Sequence, residues 1–541
     1  MKVRLYEQPE VVVEATLTLP TAAARPAVNP WLIASTVMLA TFMEVLDTSV
    51  ANVALPHIAG NLSASVDEST WVLTAYLVAN AIVLPLSGWF SSLFGRTRFY
   101  MACVAIFTVS SLLCGIAPSL PLLIVFRILQ GLGGGALQPI SQAILVESFP
   151  REKQGVATAF YGMGVVVAPV IGPTLGGWMT DNFSWRWIFL INIPFGILSI
   201  LLTTMLIKDP PDFIRKTFKT GLKLDYIGLG LLATGLAALE IMLDEGQRDD
   251  WFGSHMIVAA AIVAVVALVA VVAWELRQAD PVVDFRILKN RSFAVAAVTM
   301  YAVGFTLYGS TALLPIFLQT ILGYTALLSG LVLSPGGVAM MIGFAMVGRL
   351  LGILQARALI IFGLIVSALG TYQMAHFNLN IDFNTAMWAR TLQAFGMAFL
   401  FVPINVAAFA TIPREKLGYA TGLMNLFRNI GGSAGIAMVT TMVARRSQFH
   451  QGTLVSHVTP LDPGYGDMLH GTASTLVAQG ASAADAAGQA QGLVYGLVQR
   501  QASMMAVADT FWVMSLIFLA IAPLVLLIRK TGPVTGPVHV D

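Results

Sequence analysis

The chain is poor in charge and in cysteine. Only 11% of its 541 residues are charged, against 57% that are hydrophobic, and its two cysteines, Cys103 and Cys114, share one apolar segment. So few charges cannot cover the surface of a soluble protein of this length, and most of the chain is therefore predicted to lie in lipid. Two cysteines in one apolar segment exclude a disulfide framework and a cysteine metal site, and both are predicted to be packing residues.

Other absences narrow the function. The formal net charge is only +2, and the charged residues fall in short runs, which excludes a nucleic-acid partner. The chain has no P-loop, His/Cys cluster or nucleophile elbow, so neither an enzyme nor a metal or organic cofactor is predicted. Residues 1–30 contain acidic residues and prolines and lack an apolar core with a cleavage site. They are predicted to form a polar tail and not a signal peptide.

Long apolar runs dominate the rest of the chain. Each run of about 20 residues can cross a hydrocarbon core of about 30 Å as a helix. With the N-terminus in the cytoplasm, seventeen Lys and Arg fall in cytoplasmic loops and five in outer segments, which predicts that both termini are cytoplasmic. Fourteen spans are predicted, in chain order at 31–55, 70–93, 99–117, 120–146, 156–180, 186–207, 224–243, 254–276, 293–318, 329–348, 357–375, 385–411, 417–444 and 507–528.

One charged phrase occurs twice. PREKQGVAT begins at Pro150, and PREKLGYAT begins at Pro413, 263 positions later. In the same register an R-x-L-Q motif beginning at Arg127 matches one beginning at Arg390. The fourth span therefore corresponds to the twelfth, and the even shift of eight gives both copies the same orientation, as in a parallel repeat. Two six-helix halves with two helices inserted between them are predicted; chance recurrence of a common basic turn is the alternative.

Four motifs carry a family resemblance. The first span reads TFMEVLDTSVANVALP, the fourth RILQGLGGG and the fifth APVIGPTLGG, and the sixth begins WRWIFLINIPFG. Together with the repeat, they resemble the fourteen-helix drug:proton antiporters of the EmrB/QacA type in the major facilitator superfamily, most of all the EmrB subfamily. The resemblance covers nearly the whole chain. It implies an all-α membrane protein with a cytoplasmic tail 1–30, an N-terminal bundle 31–207, a linker with two extra helices 208–291, a C-terminal bundle 292–530 that includes an outer loop of about 445–505, and a cytoplasmic tail 531–541.

The resemblance also implies a function. A protein of this kind exports hydrophobic, amphipathic or cationic drugs across the cell inner membrane by alternating access, with the proton gradient as its energy source. It implies that the outer segment near 445–505 docks a periplasmic membrane-fusion adaptor that leads to an outer-membrane channel, although a solvated loop is the alternative. A proton-coupled uptake carrier of the same fold and a membrane sensor remain open.

One motif departs from the superfamily pattern. The loop after the second span usually resembles G-x-x-x-D-R-x-G-R, but Ser92 and Leu93 stand at its acidic and first basic positions. No charge latch is therefore assigned there. Gly95 and Arg96 are predicted to be a helix stop and a cytoplasmic anchor.

Two acidic residues in the first span are candidate proton carriers. An ionised side chain at mid-membrane costs roughly 2.5–3.5 kcal/mol, so it needs a partner, water or a function. Glu44 and Asp47 are three residues apart and share a helix face, and two nearby carboxylates cannot both ionise cheaply. Asp47 matches the family's acidic position and is predicted to bind the proton, unless it is a solvated acid near the helix end. Glu44 is predicted to attract cations, to hold a second proton or only to tune Asp47.

Arginines in the spans need partners as well. Arg127 keeps its charge, so it must face the cavity or pair with an acid. The resemblance implies a role in proton coupling, and a structural ion pair is the alternative. Arg390, its repeat partner, has no matching acid in the ninth span and is either a cavity residue or, as we favour, structural. The sequence leaves the roles of Arg428 and Glu240 open.

The fifth span combines residues that kink a helix with residues that let a neighbour approach closely. The resemblance implies that this run is the antiporter motif that seals the two halves, and ordinary helix packing is the alternative. Its residues are Pro169, Gly172, Pro173, Gly176 and Gly177.

Polar residues elsewhere are predicted either to line the substrate cavity with Arg390 or to bond neighbouring helices. They are Asn52, Gln130, Gln138, Tyr301, Tyr308 and Gln319.

Overall fold

The computed structural model describes residues 29–64, 66–150, 153–207, 225–279, 281–456, 458–459 and 462–529. The C-terminal tail and nearly all of the N-terminal tail predicted from the sequence lie outside these ranges. The described residues form α-helices with no strand. The helices are α1 (Pro30–Asn61), α2 (Val66–Phe94), α3 (Arg96–Gly115), α4 (Leu120–Gly134), α5 (Leu137–Ser148), α6 (Gln154–Asn182), α7 (Trp187–Leu190), α8 (Asn192–Leu206), α9 (Tyr226–Glu245), α10 (His255–Glu275), α11 (Arg291–Ile316), α12 (Ala326–Leu350), α13 (Ala356–Met374), α14 (Phe383–Phe409), α15 (Leu417–Ser456), α16 (Pro463–Ala478) and α17 (Ala483–Val525).

Each of the fourteen predicted spans falls on a helical segment. The fourth is formed by α4 and α5 together, and the sixth by α7 and α8. Within the described ranges, twelve helical segments are long and apolar enough to cross a membrane, which confirms an all-α multi-pass protein. The two predicted spans outside that set are α6 and α15, with 29 and 40 residues. For these two, the crossing stays a prediction.

The repeat seen in the sequence reappears in the packing. In the first half α1 packs against α6, α2 and α3 each pack against α4, and α3 packs against α8. In the second half α11 packs against α15, α12 and α13 each pack against α14, and α13 packs against α17. Each pair in the first set has its counterpart in the second, so the two halves share one arrangement.

A glycine run joins α4 and α5 and lets α2 approach. A Cβ atom at Gly131 would lie 2.4 Å from the carbonyl oxygen of Tyr76, and one at Gly135 would lie 2.4 Å from that of Asn80. Any side chain at these positions would push α2 away. The glycine run therefore places Tyr76 and Asn80 of α2 next to α4 and α5.

The two halves meet closely at the ends that carry the doubled PREK loops. Contacts between the halves join α2 and α5 to α15, and α6 to α12. Gly88 of α2 lies against the backbone of Gly418 and Tyr419, and Gly155 of α6 lies against the Leu351 side chain. Since these loops are predicted to be cytoplasmic, this contact closes the predicted cytoplasmic side.

The helix stop expected after the second span is present, whereas the cytoplasmic position of Arg96 stays a prediction. Gly95 separates α2 from α3 and has a φ angle of 87°, a conformation that side-chain-bearing residues rarely adopt. Arg96 begins α3 and forms an ion pair with Glu147 near the end of α5. Glycine therefore ends α2, and the arginine connects two helices of the first half.

The inserted helices α9 and α10 pack against each other, and α9 contacts both halves. The Arg248 Nη1 atom donates to Thr70 Oγ1 of α2 at 3.1 Å. The Trp251 indole nitrogen donates to Thr441 Oγ1 of α15 at 2.9 Å. The insertion therefore connects the halves at the outer ends of α2 and α15.

The outer segment near 445–505 is largely helical. Helix α15 continues to Ser456, α16 follows, and α17 begins at Ala483. The plain loop expected there is not what forms, because alanine and glutamine favour helix once a packing partner is present, and α16 packs on α17. Asp509 of α17 accepts hydrogen bonds from Arg446 Nε at 2.6 Å and from His450 Nε2 at 2.7 Å, which joins α15 to α17.

The contact at Gly88 gives a first testable prediction. A Cβ atom there would lie 2.6 Å from the Tyr419 backbone nitrogen, so Gly88→Ala should force α2 and α15 apart. Buried Ser91 lies beside Gly418. A Ser91→Cys reporter in the purified protein should react several times faster with a water-soluble maleimide in the Gly88→Ala background.

The matched control is Gly230→Ala on α9, where a Cβ atom meets nothing within 4 Å. It should leave the labelling rate unchanged. Equal labelling of the reporter in both backgrounds would show that the contact does not close this side.

Candidate functional site

Helix α1 places two acidic residues near its midpoint. Glu44 and Asp47 are the fifteenth and eighteenth of its 32 residues. Both side chains are buried, with 5% and 2% of their surface exposed. Because the two residues are three positions apart, their side chains leave the helix in similar directions but contact different neighbours.

Asp47 lies in a fully buried ion pair. Its Oδ2 atom is 2.5 Å from Arg127 Nη1 of α4. Its Oδ1 atom accepts from Gln130 Nε2 at 2.9 Å and from Asn192 Nδ2 at 2.7 Å. The Arg127 guanidinium and two neutral amide donors therefore hold this carboxylate in place.

Arg127 is held equally firmly. Its Nε atom donates to the Val72 carbonyl at 3.0 Å and its Nη1 to Gln130 Oε1 at 2.7 Å. Its guanidinium carbon lies 4.3 Å from the centre of the Tyr76 ring, a cation–π distance. Both charged groups are oriented by several helices, as in the ion-pair alternative that the sequence left open.

Ser111 completes this network. Its hydroxyl accepts from Gln130 Nε2 at 3.0 Å and from Asn192 Nδ2 at 2.9 Å, and it donates to the Phe189 carbonyl at 2.9 Å. The network thus joins α1, α3, α4 and α8. We call Asp47, Arg127, Gln130, Asn192 and Ser111 the ion-pair network.

Glu44 has different partners. Its Oε1 accepts from Asn80 Nδ2 at 3.2 Å and from the Tyr76 hydroxyl at 3.4 Å, and its Oε2 accepts from Gln138 Nε2 at 2.6 Å. All three donors are neutral. No Lys, Arg or His of the described ranges lies within 4 Å of its carboxylate. Glu44 can therefore gain or lose a proton without breaking a salt bridge.

Gln138 connects Glu44 to the other half. Its Nε2 donates to Glu44, and its Oε1 accepts from Arg428 Nη2 on α15. Beside this bridge, Asn425 Nδ2 donates to Gln142 Oε1 at 3.0 Å. One amide thus stands between the buried acid of the first half and a buried arginine of the second.

The predicted cavity residues do not form one group. Gln130 is fully buried in the ion-pair network, and Gln138 is the bridge to Arg428. Both side chains bond helices together, as in the packing alternative. The Asn52 side chain lies outside the described part of the structure.

The remaining predicted cavity residues are spread along the second half. Tyr301 is half-buried on α11, with its ring 6.3 Å from that of Phe305. Tyr308 packs its ring on Gly432 and is partly exposed. Gln319 is exposed in the π-helical turn Phe317–Ile321 at the end of α11. Arg390 is buried beside α11 and lacks an acidic partner among the described residues.

The glycines of the fifth-span motif pack within the first half. A Cβ atom at Gly172 would lie 2.3 Å from Ser49 Oγ, and one at Gly176 would lie 2.7 Å from a Val50 methyl group. Both neighbours are on α1, so these glycines do not seal the two halves in this structure. Pro169 is exposed and Gly177 is partly exposed, while the Pro173 side chain lies outside the described part.

Other glycines of α6 make the contact between the halves. A Cβ atom at Gly162 would lie 3.1 Å from the Phe344 ring of α12, and one at Gly155 would lie 3.0 Å from Leu351. The close approach implied by the resemblance is therefore present on α6. It occurs nearer the predicted cytoplasmic end than the motif itself.

Sequence reasoning missed several residues of the site. They share one signal, a side chain with an amide or hydroxyl group in an apolar span. That signal gives no partner, because the partner depends on how the helices rotate against one another. The missed residues are Tyr76, Asn80, Ser111, Gln142, Asn192 and Asn425.

No group of three or more His, Cys, Asp or Glu suited to a metal ion occurs in the described ranges. The candidate site is thus built from one ion pair, one further acid and neutral amides and hydroxyls. Such a set can exchange protons and orient helices.

Comparisons with known proteins agree with this architecture. The sequence profile of the Major Facilitator Superfamily matches residues 37–436. The chain is 36% identical over 488 residues to the "Multidrug export protein EmrB" of Escherichia coli (strain K12), covering 90% of this chain and 93% of that protein. It is 38% identical over 492 residues to the "Fatty acid resistance protein FarB" of Neisseria gonorrhoeae, covering 91% and 94%.

A solved structure shows the same fold. The proton:xylose symporter XylE bound to 6-bromo-6-deoxy-D-glucose superimposes with a TM-score of 0.57 at 13% identity, covering 91% of this chain and 94% of that chain. At this identity, the likeness concerns the fold alone.

The ion-pair network gives a second prediction. Asp47→Asn leaves Arg127 buried without a counter-charge, so it should lower the free energy of unfolding by about 3–5 kcal/mol. Arg127→Gln should cost a similar amount. Because each single change leaves a lone buried charge, the double variant should lose less than the sum of the two. Thermal unfolding of the purified protein in detergent, followed by circular dichroism, measures these losses.

Asp249→Asn is the control, since Asp249 pairs with Arg248 at a partly exposed site with 3.6 Å between Oδ1 and Nε. That change should cost less than about 1 kcal/mol. Additive losses in the double variant would show that Asp47 and Arg127 do not act as a pair.

Proposed function

Because the chain belongs to the major facilitator superfamily, we propose that it is a proton-coupled exporter that moves hydrophobic or amphipathic toxic compounds out of the cytoplasm by alternating access. It is a multi-pass membrane transporter and not an enzyme. We place it in the cell inner membrane with both termini in the cytoplasm, from the distribution of Lys and Arg. Relatives named for multidrug export and for fatty acid resistance support export over uptake.

The observation that carries this proposal is the position of Glu44. Its buried carboxylate has only neutral hydrogen-bond donors, and Gln138 connects it to Arg428 of the other half. A proton that binds there changes a contact between the halves. This assigns the transported proton to Glu44 and not to Asp47, the residue that the sequence favours.

Asp47 and Arg127 then have a positioning role. Their charges compensate each other and fix the helix that carries Glu44. Proton binding to Asp47 would have to break a buried ion pair, whereas proton binding to Glu44 replaces a carboxylate among neutral donors with a neutral acid. The second step is less costly in a buried environment.

Protonation of Glu44 provides a physical link between proton binding and the rocking of one half against the other. The ionised carboxylate accepts from Gln138 Nε2, and this orients the amide oxygen of Gln138 toward Arg428. A neutral acid attracts the amide less strongly, so the bond between α5 and α15 weakens. One charge that moves through 100 mV supplies about 2.3 kcal/mol, and this energy can drive the halves from one arrangement to the other.

Proton movement in inside-out vesicles tests the assignment. Adding ethidium, a lipophilic cation, or decanoate, a fatty acid anion, should discharge a preformed proton gradient when the compound is transported. Glu44→Gln should abolish this discharge, because an amide cannot carry the proton. Glu415→Gln, at an exposed position in the loop before α15, is the matched control and should behave like the unchanged protein.

A full discharge in Glu44→Gln would remove Glu44 from proton coupling. If a broad set of lipophilic cations, anions and neutral compounds moved no protons through the unchanged protein, the membrane-sensor alternative would be favoured.

The outer helices support a partner proposal. We infer that α16 and the outer part of α17 contact a periplasmic membrane-fusion adaptor that leads to an outer-membrane channel. Leu493 and Leu497 lie four residues apart on one face of α17 and are 53% and 50% exposed. Exposed leucines on one helix face are typical of a surface that another protein covers.

Co-purification with the adaptor from the same organism checks this inference. Leu493→Ser combined with Leu497→Ser should lower the recovered adaptor by about tenfold, since removal of central apolar contacts costs more than 1.4 kcal/mol. Gln491→Ser combined with Gln499→Ser, two exposed polar positions of the same helix, should not. Equal recovery with both double variants would exclude this face of α17.

A further inference from the structure

The second half contains a buried arginine with neutral partners only. Arg390 of α14 is 8% exposed. Its Nη1 donates to Ser310 Oγ at 3.1 Å and to Gln393 Oε1 at 2.7 Å, and its Nη2 donates to Thr311 Oγ1 at 3.0 Å. No carboxylate of the described residues lies within 4 Å of its guanidinium group. An unpaired buried charge is costly, so this arrangement invites a counter-charge.

The repeat shows what has changed at this position. The same offset of 263 residues that aligns the PREK loops also aligns three residues of the ion-pair network with three residues of the second half. The pairs are Asp47 with Ser310, Arg127 with Arg390, and Gln130 with Gln393. The second half thus keeps the arginine and the amide and has a hydroxyl where the first half has a carboxylate.

The hydrogen bonds of the two sites correspond as well. Gln130 Nε2 donates to Asp47 at 2.9 Å, and Gln393 Nε2 donates to Ser310 at 3.0 Å. In both halves the arginine Nη1 lies 2.7 Å from the amide oxygen of its glutamine. The second site is therefore the first site without its negative charge.

No other acid of the described second half takes the place of Asp47. Asp382 is exposed and caps the start of α14. Asp509 is bonded to Arg446 and His450. Arg127 has Asp47, and Arg428 is connected to Glu44 through Gln138. Of these three arginines, Arg390 is the one whose charge has no acid nearby.

The guanidinium group of Arg390 also keeps one donor unused. Arg390 Nε makes no hydrogen bond to a described residue, and Thr311 is only partly buried. Gly336 of α12 faces the arginine, and a Cβ atom there would lie 3.5 Å from Arg390 Cγ. Ser310 Oγ already donates to the Leu307 carbonyl at 3.1 Å. The donors left for an anion are therefore the Arg390 Nε–H and the Thr311 hydroxyl.

We propose that Arg390 and Thr311 bind a monovalent anion beside Ser310, where the first half has Asp47. The anion is either chloride or the carboxylate of an organic compound. The organic case names a substrate class for the proposed exporter and rests on that proposed function, whereas the chloride case does not. Arg390 is then a binding residue, not the structural residue favoured by the sequence.

Equilibrium binding to the purified protein in detergent tests this proposal. In chloride-free sulfate buffer at constant ionic strength, the unfolding temperature is measured while sodium chloride or sodium benzoate replaces sulfate. One of the two anions should give a saturable rise. Arg390→Gln should weaken the apparent affinity by about tenfold or more, since a charge-assisted hydrogen bond contributes about 1.5–3 kcal/mol.

Ser310→Asp is the decisive variant, because it restores the acid of the first half. It should raise the unfolding temperature in the sulfate buffer and abolish the response to the anion. Arg357→Gln, which removes a partly exposed arginine at the start of α13, is the control and should keep the response. The unfolding temperature is measured without any proton movement, so the outcome does not depend on whether the protein couples transport to protons.

The outcomes separate the two sources of the anion. A rise with chloride identifies an inorganic anion site, and a rise with benzoate alone identifies a carboxylate site. No response to either anion, or an unchanged response in Ser310→Asp, would overturn the proposal.

Discussion

A charge in the membrane interior has to be matched, and the Asp47–Arg127 ion pair shows how much structure that requirement fixes. Asp47 of α1 and Arg127 of α4 bond directly to α2 and α8, and Ser111 of α3 holds their amide partners, so five helices meet at the ion pair. Each helix must therefore keep one rotation and one height relative to the others. Because α1 is fixed in this way, Glu44, less than one turn earlier, is presented to α2 and α5. The ion pair therefore fixes the position of Glu44, the proposed proton site, although Glu44 is not part of that pair.

The same constraint explains how the two halves are connected. Gly88, which packs on the Tyr419 backbone, and Gly155, which packs on the Leu351 side chain, hold their predicted cytoplasmic ends together. Near mid-membrane the connection is polar, since Gln138 joins Glu44 to Arg428. Glycine contacts change little with protonation, whereas the polar bridge depends on the charge of Glu44. In the proposed mechanism, the polar bridge is therefore the contact between the halves that responds to a proton.

Much of the fold could be predicted from the sequence, because apolar length and loop charge respond directly to the bilayer. The repeat was visible for the same reason, since the PREK loops and the R-x-L-Q motif are local in the chain. The site was only partly predictable. Asp47 and Arg127 are conspicuous as charges, but Asn80, Asn192 and Gln142 become partners only through helix rotation, which no local pattern encodes. The helices near 445–505 were missed because an alanine- and glutamine-rich segment forms stable helix only when it packs, as α16 does on α17.

The presence of Ser310 where the repeat has Asp47 has consequences for the energetics of the proposed proton-coupled export. When a proton enters and a neutral compound leaves, one charge moves inward and 100 mV contributes about 2.3 kcal/mol. When a lipophilic cation leaves, the two charge movements cancel and the membrane potential contributes nothing. When an anion leaves, its movement adds to that of the proton, so the potential contributes about twice as much. An arginine without its own acid in the second half would therefore favour the class of compound for which the membrane potential supplies the most energy, while Asp47 prevents the equivalent arginine of the first half from binding the same anion.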